Sequence, residues 1–247
     1  MSNEVVSRLS RRLRRLGYDA QPSKETSEYL AGLGFDVATV FDVGVAGDTA
    51  NLYGAFPDAK FVLLEPIAEF EAKVRRNYGD QIDIDFHACG VGAEAGELEL
   101  TIPYVGDKAM GTRATLTSFD DDSGAYFSKV DTRTVPVRTL DEIAAGYAGP
   151  FGLKVDTEGF EIEVIRGAGE FLKSCAFVIA EVSVRRRFAD GYRFSDFTAL
   201  MAENGFEIHD FIRPPNPAAT DCDAIFAPWD SPLFDFSDRR LKRMSGK

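Results

Sequence analysis

Residues 39–66, TVFDVGVAGDTANLYGAFPDAKFVLLEP, constrain the fold of this chain more than any other segment. A short apolar strand ends on Asp42, a turn follows with Gly44 and Gly47, and a helix-like stretch leads to a second apolar strand ending at Glu65. A strand, a glycine turn, a helix and a strand that ends in an acid form the first unit of a nucleotide-binding sheet, in which the acid grips a ribose hydroxyl. The segment therefore predicts an α/β fold with a ligand at the carboxyl edge of its strands.

The charge of the glycine turn indicates which ligand to expect. The pattern is Asp-x-Gly-x-x-Gly-Asp and not GxGxxG, so a βα turn without any ligand stays an alternative. A pyrophosphate favours backbone N–H groups and no nearby anions. This turn carries Asp42 and Asp48, which would repel a dinucleotide and suit a ligand with cationic groups. S-adenosylmethionine, with a sulfonium, an ammonium and no phosphate, is therefore preferred to NAD.

Composition narrows the class of protein and its compartment. A chain of 247 residues with 45% hydrophobic content fits one large domain, or one domain with extensions. Its net charge of −12 argues against general nucleic-acid binding and against anionic membranes. No apolar run is long enough for a transmembrane segment, and no signal-peptide pattern opens the sequence. Three widely spaced cysteines, Cys89, Cys175 and Cys222, indicate buried thiols in a reducing cytoplasm, without a disulfide frame or a zinc site.

The N-terminal region has the pattern of a basic amphipathic helix. Five apolar residues at helical spacing alternate with five arginines over residues 1–20. Such a helix binds a membrane surface or an acidic partner, or packs on its own domain or on a second copy. The acidity of the whole chain favours packing, and so a homo-oligomer through this helix is an open prediction. We divide the chain into a helical extension (1–35), a catalytic domain (36–230) and a basic C-terminal tail (231–247).

The rest of the chain alternates between strand and helix patterns. We predict a third strand within 82–89 with 98–102 as its hairpin partner, and an edge strand at 133–137 because it contains Pro136. The polar stretch 106–129 is either a surface loop or a flap on the substrate side. The remaining predictions are a capping box at Thr139, strands at 151–155 and 177–182, helices at 161–172 and 194–203, and a closing antiparallel pair at 206–210 and 224–227.

Three segments in order carry a resemblance to a known family: DVGVAGDT at 42–49, FVLLEP at 61–66 and LKVDTEGFEIEVIRGA at 153–168. Together they resemble the FkbM-type family of S-adenosylmethionine-dependent methyltransferases, over roughly residues 39–182. The Asp-x-Glu-Gly-x-Glu of the third segment is the most specific of these motifs. The first turn departs from the family pattern, because Ala46, Gly47 and Asp48 stand where an Asn and a later Gly are common.

The resemblance implies a Rossmann-like class I methyltransferase fold. In that fold a seven-stranded, mostly parallel sheet has an antiparallel last strand and helices on both faces. It also implies S-adenosylmethionine as methyl donor and a hydroxyl of a saccharide or sugar-bearing metabolite as acceptor, a small molecule or a glycan. Three alternatives stay open: methylation of a nitrogen or a non-sugar hydroxyl, a non-catalytic binding protein with a degenerate cofactor pocket, and, less favoured, an NAD-dependent oxidoreductase.

Candidate site residues follow from these motifs. The residues expected to bind the cofactor are Asp42, Gly44, Val45, Gly47, Glu65, Pro66, Ala88 and Cys89. Those expected to be catalytic are Asp156, Glu158 and Glu181. Asp156 and Glu158 would position the acceptor, take its proton or hold a divalent cation. The alternative for Glu158, and for Glu161, is that the acid only complements the N-terminus of the following helix.

Other candidates have more ordinary interpretations. His87 is expected to be structural, and His209 is a weaker candidate for a general base. The run Arg185, Arg186 and Arg187 would bind a phosphate or an acidic sugar, or would simply be solvated, and solvation is favoured.

Overall fold

The computed structural model describes residues 3–18, 22–46, 49–120, 124–216 and 218–235. The strands are β1 (Thr39–Val43), β2 (Lys60–Leu64), β3 (Asp83–His87), β4 (Gly90–Val91), β5 (Gly96–Val105), β6 (Lys108–Ala109), β7 (Lys129–Arg138), β8 (Phe151–Val155), β9 (Cys175–Ser183), β10 (Phe206–Arg213) and β11 (Asp221–Pro228). The helices are α1 (Asn3–Arg15), α2 (Ser27–Ala31), α3 (Ala50–Ala55), α4 (Phe70–Tyr78), α5 (Leu140–Ala144), α6 (Glu161–Arg166) and α7 (Phe194–Glu203).

Seven of these strands form the central sheet, in the order β10-β11-β9-β8-β1-β2-β3. Neighbouring strands from β9 to β3 run parallel, whereas β11 runs antiparallel to both β9 and β10. Chain order reverses at β1, which lies between β2 and β8, so this is the switch point where open α/β sheets bind ligands. The predicted seven-stranded sheet with an antiparallel last strand is confirmed.

Helices cover both faces of this sheet because its central strands are apolar on both sides. In β1, Val40 packs in one buried cluster with residues of α2, α3 and α4. Phe41 and Val43 belong to the other cluster, which includes residues of α5, α6 and α7. The three cysteines are buried free thiols, as predicted.

A smaller sheet lies beside the carboxyl edge, in the order β4-β7-β5-β6. It corrects two predictions. The hairpin partner of β5 is β7, not the third strand, and the two strands pair from Gly96 with Val137 to Tyr104 with Lys129. β7 is also not an edge strand, because β4 pairs with Val137 and Arg138 on its other side, although Pro136 faces β5 alone. The proline is tolerated because β4 is only two residues long.

The helix boundaries follow local chemistry. Thr139 and Glu142 form the predicted capping box at the start of α5. The predicted helix 161–172 is shorter than expected, since α6 ends at Arg166 and a 3-10 turn covers Phe171–Ser174. Among the described residues, no helix combines the length and the apolar character that a membrane span needs. The predicted basic tail falls largely at residues 236–247, outside the described residues.

Helix α1 forms where predicted, but its apolar face is not covered by the domain. Val5 and Leu9 of this helix and Leu16, directly after it, are 49%, 61% and 66% exposed. These three side chains are therefore not packed on the domain, and the alternative of packing on a second copy is untested by this single chain.

Candidate functional site

A cavity opens at the switch point, between the carboxyl ends of β1, β2 and β8 and the smaller sheet. We call it the edge cavity. Its volume is about 190 Å³, well above the roughly 10–15 Å³ that a cavity needs to hold one water molecule, so it has room for a larger ligand. Gly44, Glu65, Pro66, Cys89, Asp156, Glu158 and Glu181 are all among its lining residues. Sequence reasoning had singled out each of these seven.

Gly44 is required by the close approach of two strand ends. Its φ of 81° lies in the left-handed region, and a Cβ atom there would stand 1.7 Å from the carbonyl oxygen of Asp156. The Gly44 N–H donates to Leu64 O at 2.9 Å, and the Asp156 N–H donates to Val43 O at 2.9 Å. These bonds hold the ends of β1, β2 and β8 together, so the glycine turn fixes the shape of the cavity floor.

Glu65 lies at the end of β2 with 4% of its surface exposed. Its Oε2 accepts from the Ala46 N–H at 3.0 Å, and its Oε1 accepts from the Ile67 N–H at 2.9 Å. Burial raises the pKa of Glu65 to about 7, although both backbone hydrogen bonds work in the opposite direction. Each carboxylate oxygen keeps a second lone pair, so a hydroxyl-bearing ligand still finds two acceptors here.

The other residues expected to bind a cofactor divide into three groups. Pro66 and Cys89 line the edge cavity. Val45 is buried in the apolar cluster under α3, and Ala88 is exposed next to Cys89, and neither is part of the lining. Gly47 lies outside the described residues.

Asp42 has a different place from the one expected. Its side chain is fully buried below the cavity, where Tyr53 Oη donates to Oδ2 at 3.0 Å and Lys154 Nζ lies 3.7 Å from Oδ1. Burial alone would lower the pKa of Lys154, but the charges of Asp156 and Asp42 outweigh it and raise that pKa. Asp42 is not among the residues that line the edge cavity, so the structure does not bring it to a ligand there, and Asp42 shares the cation beside it, Lys154, with Asp156.

Three carboxylates meet at the far end of the edge cavity. One oxygen of each of Asp156, Glu158 and Glu181 lies within 4.8 Å of the others. Each acid also has a side-chain cation. Lys154 Nζ lies 3.1 Å from Asp156, Arg213 lies 2.7 Å from Glu181, and Arg187 pairs with Glu158. Arg187 and Arg213 also reach Asp221, at 3.0 Å and 2.9 Å.

The acids of this cluster have raised pKa values. Burial raises the pKa of Glu158 to about 7, against the opposing charge of Arg187. Burial and the negative charges of Asp156 and Asp221 raise the pKa of Glu181. A carboxylate that titrates near neutral pH is suited to accept a proton from a bound acceptor. The cluster thus combines an excess of negative charge with two groups suited to proton transfer.

The loop after β8 is held by Glu161, which is 2% exposed. Its Oε1 accepts from the N–H groups of Thr157 and Gly159, both at 3.0 Å, and its Oε2 accepts from Tyr192 Oη at 2.6 Å. This bracing holds Glu158 at a φ of 52°, a conformation that non-glycine residues rarely adopt. Strained residues persist where the surroundings fix them, often in active sites. Glu161 therefore positions the loop and does not line the cavity.

Asp156, Glu158 and Glu181 have the ligand type and the spacing of a divalent-cation site. Their ion pairs with side-chain cations, however, are not expected of a metal site. Lys154, Arg187 and Arg213 each take up a carboxylate that a metal ion would need. The residues present fit an organised charge cluster better than a metal centre.

The polar stretch predicted as a loop or flap forms one wall of the edge cavity. We use the name flap for residues 111–120, of which Gly111, Thr112, Ala114 and Leu116 line the cavity. Thr115 is 1% exposed, and its Oγ1 donates to Glu158 O at 2.6 Å. The Ala189 N–H donates to Ser118 O at 2.9 Å, so the flap is attached to the segment after β9 as well.

The histidines and the arginine run lie apart from the cavity, with one exception. His87 Nε2 is 2.8 Å from Tyr147 Oη, and His209 packs against Phe234. Arg185 and Arg186 are exposed, whereas Arg187 is 9% exposed and ion-paired. Sequence reasoning missed Arg187, Lys154 and Arg213 as site residues. For Lys154 a signal existed, because a lysine within an apolar strand needs a buried partner.

Solved structures with a similar arrangement include several methyltransferases. A methyltransferase FkbM from Methylobacillus flagellatus KT is 18% identical with a TM-score of 0.49, over 76% of this chain and 43% of that one. Magnesium protoporphyrin IX methyltransferase from Synechocystis PCC 6803, solved with bound S-adenosylmethionine, is 11% identical with a TM-score of 0.44, over 82% and 76%. The chain thus spans less than half of the Methylobacillus protein.

None of the curated proteins matches the chain in sequence. The family model described as the methyltransferase FkbM domain matches residues 42–208, which include β1, the glycine turn, Glu65 and the loop after β8. This match covers more than half of the chain and agrees with the topology of the central sheet. The chain therefore belongs to the FkbM family of S-adenosylmethionine-dependent methyltransferases.

Proposed function

We propose that this protein is an O-methyltransferase that transfers a methyl group from S-adenosylmethionine to a hydroxyl of a saccharide or sugar-bearing metabolite. The observation that carries the proposal is the position of Asp156, Glu158 and Glu181 at one end of a cavity whose other end contains Glu65. One end offers acceptors to ribose hydroxyls, and the other offers carboxylates to a cationic centre and to a hydroxyl proton.

The donor occupies the edge cavity in this proposal. Glu65 accepts both ribose hydroxyls, Pro66 and Cys89 border the adenine, and Gly44 admits the chain of the methionine part against bare backbone. The three-carboxylate cluster offsets the positive charge of the sulfonium and the ammonium. Gly47, for which we propose a similar role to Gly44, lies outside the described residues.

The chemistry is an in-line displacement in which the acceptor oxygen attacks the methyl carbon and the carbon–sulfur bond breaks to give the thioether product. The chain aligns the acceptor and takes its proton. Glu181 and Glu158 have raised pKa values, so either accepts a proton near neutral pH. Asp156, which is ion-paired with Lys154 at 3.1 Å, orients the hydroxyl. We propose that a divalent cation is not needed, since side-chain cations already pair with these acids; transfer should persist in EDTA.

Two other acceptor classes fit the same site: a nitrogen, or a hydroxyl outside a sugar. A non-catalytic binding role would follow if the altered first turn failed to hold the donor. A cytoplasmic location and a small-molecule or glycan acceptor complete the proposal.

We further propose that α1 joins two copies of the chain. Five arginines lie on this helix, whereas the chain as a whole has a net charge of −12, so the helix complements the surface of a second copy. Light scattering after size exclusion should show a dimer, and Leu9→Glu with Leu16→Glu should give a monomer. A monomeric wild type would contradict this.

The test of the proposed function is transfer of labelled methyl from S-adenosylmethionine to a panel of saccharides, amines and phenols. Label should enter the saccharides as a methyl ether. Calorimetry with S-adenosylhomocysteine distinguishes this proposal from the non-catalytic binding role. If S-adenosylhomocysteine does not bind, the methyltransferase proposal is refuted.

A substitution at Asp156 tests whether the methyl transfer takes place at the carboxylate cluster. Asp156→Asn should lower transfer at least 100-fold while S-adenosylhomocysteine still binds, because the amide keeps the shape and loses the charge. Asp190→Asn, at an exposed position after β9, is the matched control and should be fully active. A fully active Asp156→Asn variant would place the chemistry elsewhere.

A further inference from the structure

A second cavity lies over the other half of the carboxyl edge, across β8, β9, β10 and β11. We call it the side cavity. Its volume is about 530 Å³, within the range of about 300–1,000 Å³ typical of small-molecule sites. The rim includes Glu25, ahead of α2, and Ala50 at the start of α3.

The two cavities share two residues. Asp156 and Glu181 line both of them, whereas Glu65 and Cys89 line only the edge cavity and Arg213 and Asp223 only the side cavity. A group in the side cavity and a donor in the edge cavity therefore meet at these carboxylates. That is the geometry that transfer between two bound molecules needs.

The chemistry of the side cavity selects its occupant. Its floor is aliphatic, formed by Leu30, Leu52, Ile179 and Ile212, all under 9% exposed. Above the floor stand four carboxylates, of Glu25, Asp156, Glu181 and Asp223. Its two cations are already paired, Lys154 with Asp156 and Arg213 with Glu181 and Asp223.

Carboxylates accept hydrogen bonds and repel anions. An occupant must therefore donate several hydrogen bonds and present an apolar C–H face to the floor. A neutral, polyhydroxylated ring does both, whereas a phosphorylated or carboxylated sugar would be repelled by the excess of carboxylates over cations in the lining.

We infer that the side cavity is the acceptor site, and that it takes an uncharged polyhydroxylated ring with one hydroxyl at Asp156 and Glu181. This inference rests on the proposed function and adds to it the place of the acceptor and the exclusion of anionic sugars.

The test uses saturation-transfer NMR on the complex with S-adenosylhomocysteine. The probes are methyl α-glucopyranoside, methyl α-mannopyranoside and glucose 6-phosphate. We expect saturation transfer to the neutral glycosides and at least fivefold less to the phosphate. Ala50→Trp fills the rim of the side cavity from an exposed position. It should reduce the glycoside signal at least fivefold and change S-adenosylhomocysteine affinity less than twofold.

Thr112→Trp is the matched control, because Thr112 is an exposed residue on the rim of the edge cavity. It should weaken S-adenosylhomocysteine at least tenfold. Thermal unfolding of both variants verifies the fold. Three results would overturn the inference. The glycosides fail to bind the wild type, they bind Ala50→Trp as well as the wild type, or they bind no better than glucose 6-phosphate. Failure of S-adenosylhomocysteine to bind the wild type would instead refute the proposed function.

Discussion

At the scale of single residues, the site depends on carboxylates held away from water by specific donors. Glu65 accepts two backbone N–H groups, and Glu161 accepts two as well as a tyrosine hydroxyl. Burying a charge costs free energy unless hydrogen bonds or opposite charges offset it. Only part of that cost is offset at Glu65, since its pKa stays raised, to about 7. A ligand that donates to this acid would offset more.

The first prediction concerns Glu65. Glu65→Gln should weaken S-adenosylhomocysteine at least tenfold, because the amide NH₂ would face the N–H of Ala46 or Ile67 and only one acceptor oxygen would remain. Titration calorimetry at pH 8 measures this. Wild-type affinity should also fall between pH 8 and pH 6, as the carboxylate protonates near pH 7, and the variant should show a weaker dependence, because Glu158 still titrates in this range.

The control for that experiment is Glu69→Gln, which removes an exposed acid in the same segment. Its affinity should match the wild type at every pH. An unchanged affinity in Glu65→Gln would remove this residue from the donor site.

Local sequence patterns predicted the carboxylates of this site. They did not predict the side-chain cations, because those are brought to the site by tertiary contacts. Asp156 follows β8 directly, Glu158 lies two residues further on, and Glu181 lies near the end of β9, so the rule that parallel strands end at one edge placed them together. Their cations come from elements that sequence spacing does not relate. Arg187 looked like part of a solvated run, and only the pairing of β9 with β11 brings Asp221 beside it.

At the scale of elements, the flap links the smaller sheet to the charge cluster. Thr115 bonds to Thr101 of β5 through its backbone and to Glu158 O through its side chain. The sequence predicted a flap or a loop here but not the hairpin behind it, because β5 and β7 pair across the whole intervening stretch. Register between distant strands depends on which faces are buried, and a single strand pattern does not contain that information.

The second prediction tests this link. Thr115→Val keeps the side-chain shape and removes the donor to Glu158 O, leaving that carbonyl without this partner. Hydrogen exchange within residues 111–120 should become faster, and S-adenosylhomocysteine affinity should fall about threefold to tenfold, corresponding to roughly 1 kcal/mol. Thr134→Val, the same change at an exposed position of β7, is the control and should alter neither quantity. Unchanged exchange in Thr115→Val would mean that the flap is held by its backbone alone.

At the scale of the whole molecule, function and stability oppose each other at the carboxyl edge. Burial raises the pKa values of Glu158 and Glu181, which suits them to proton transfer. The same burial makes their charged forms unfavourable in the folded chain. Natural active sites often reduce stability in this way. The pH dependence of unfolding is therefore a direct measure of the cluster.

The last prediction follows from the sign of these shifts. The pKa of Glu65 rises from 4.5 to about 7 on folding, and those of Glu158, Glu161, Glu181 and Asp223 rise as well. The folded chain then binds more protons than the unfolded chain, so the free energy of unfolding falls as pH rises through this window. The lowered pKa values of Glu69 and Asp196 act below the usual carboxylate range and do not offset this.

For Glu65 alone the shift corresponds to roughly 3 kcal/mol, and a loss of 1 kcal/mol lowers Tm by about 2–4 °C in a chain of this size. Thermal unfolding of the ligand-free protein should therefore show a Tm several degrees lower at pH 7.5 than at pH 5.5. Glu65→Gln with Glu181→Gln should reduce the difference in Tm, because neither amide titrates, whereas Glu158 still does. S-adenosylhomocysteine should raise Tm more at pH 7.5 than at pH 5.5, since its ammonium and hydroxyl groups favour the ionised acids. A Tm that rises from pH 5.5 to pH 7.5 would contradict this prediction. It would show that hydrogen bonds and ion pairs offset the cost of burying these charged carboxylates.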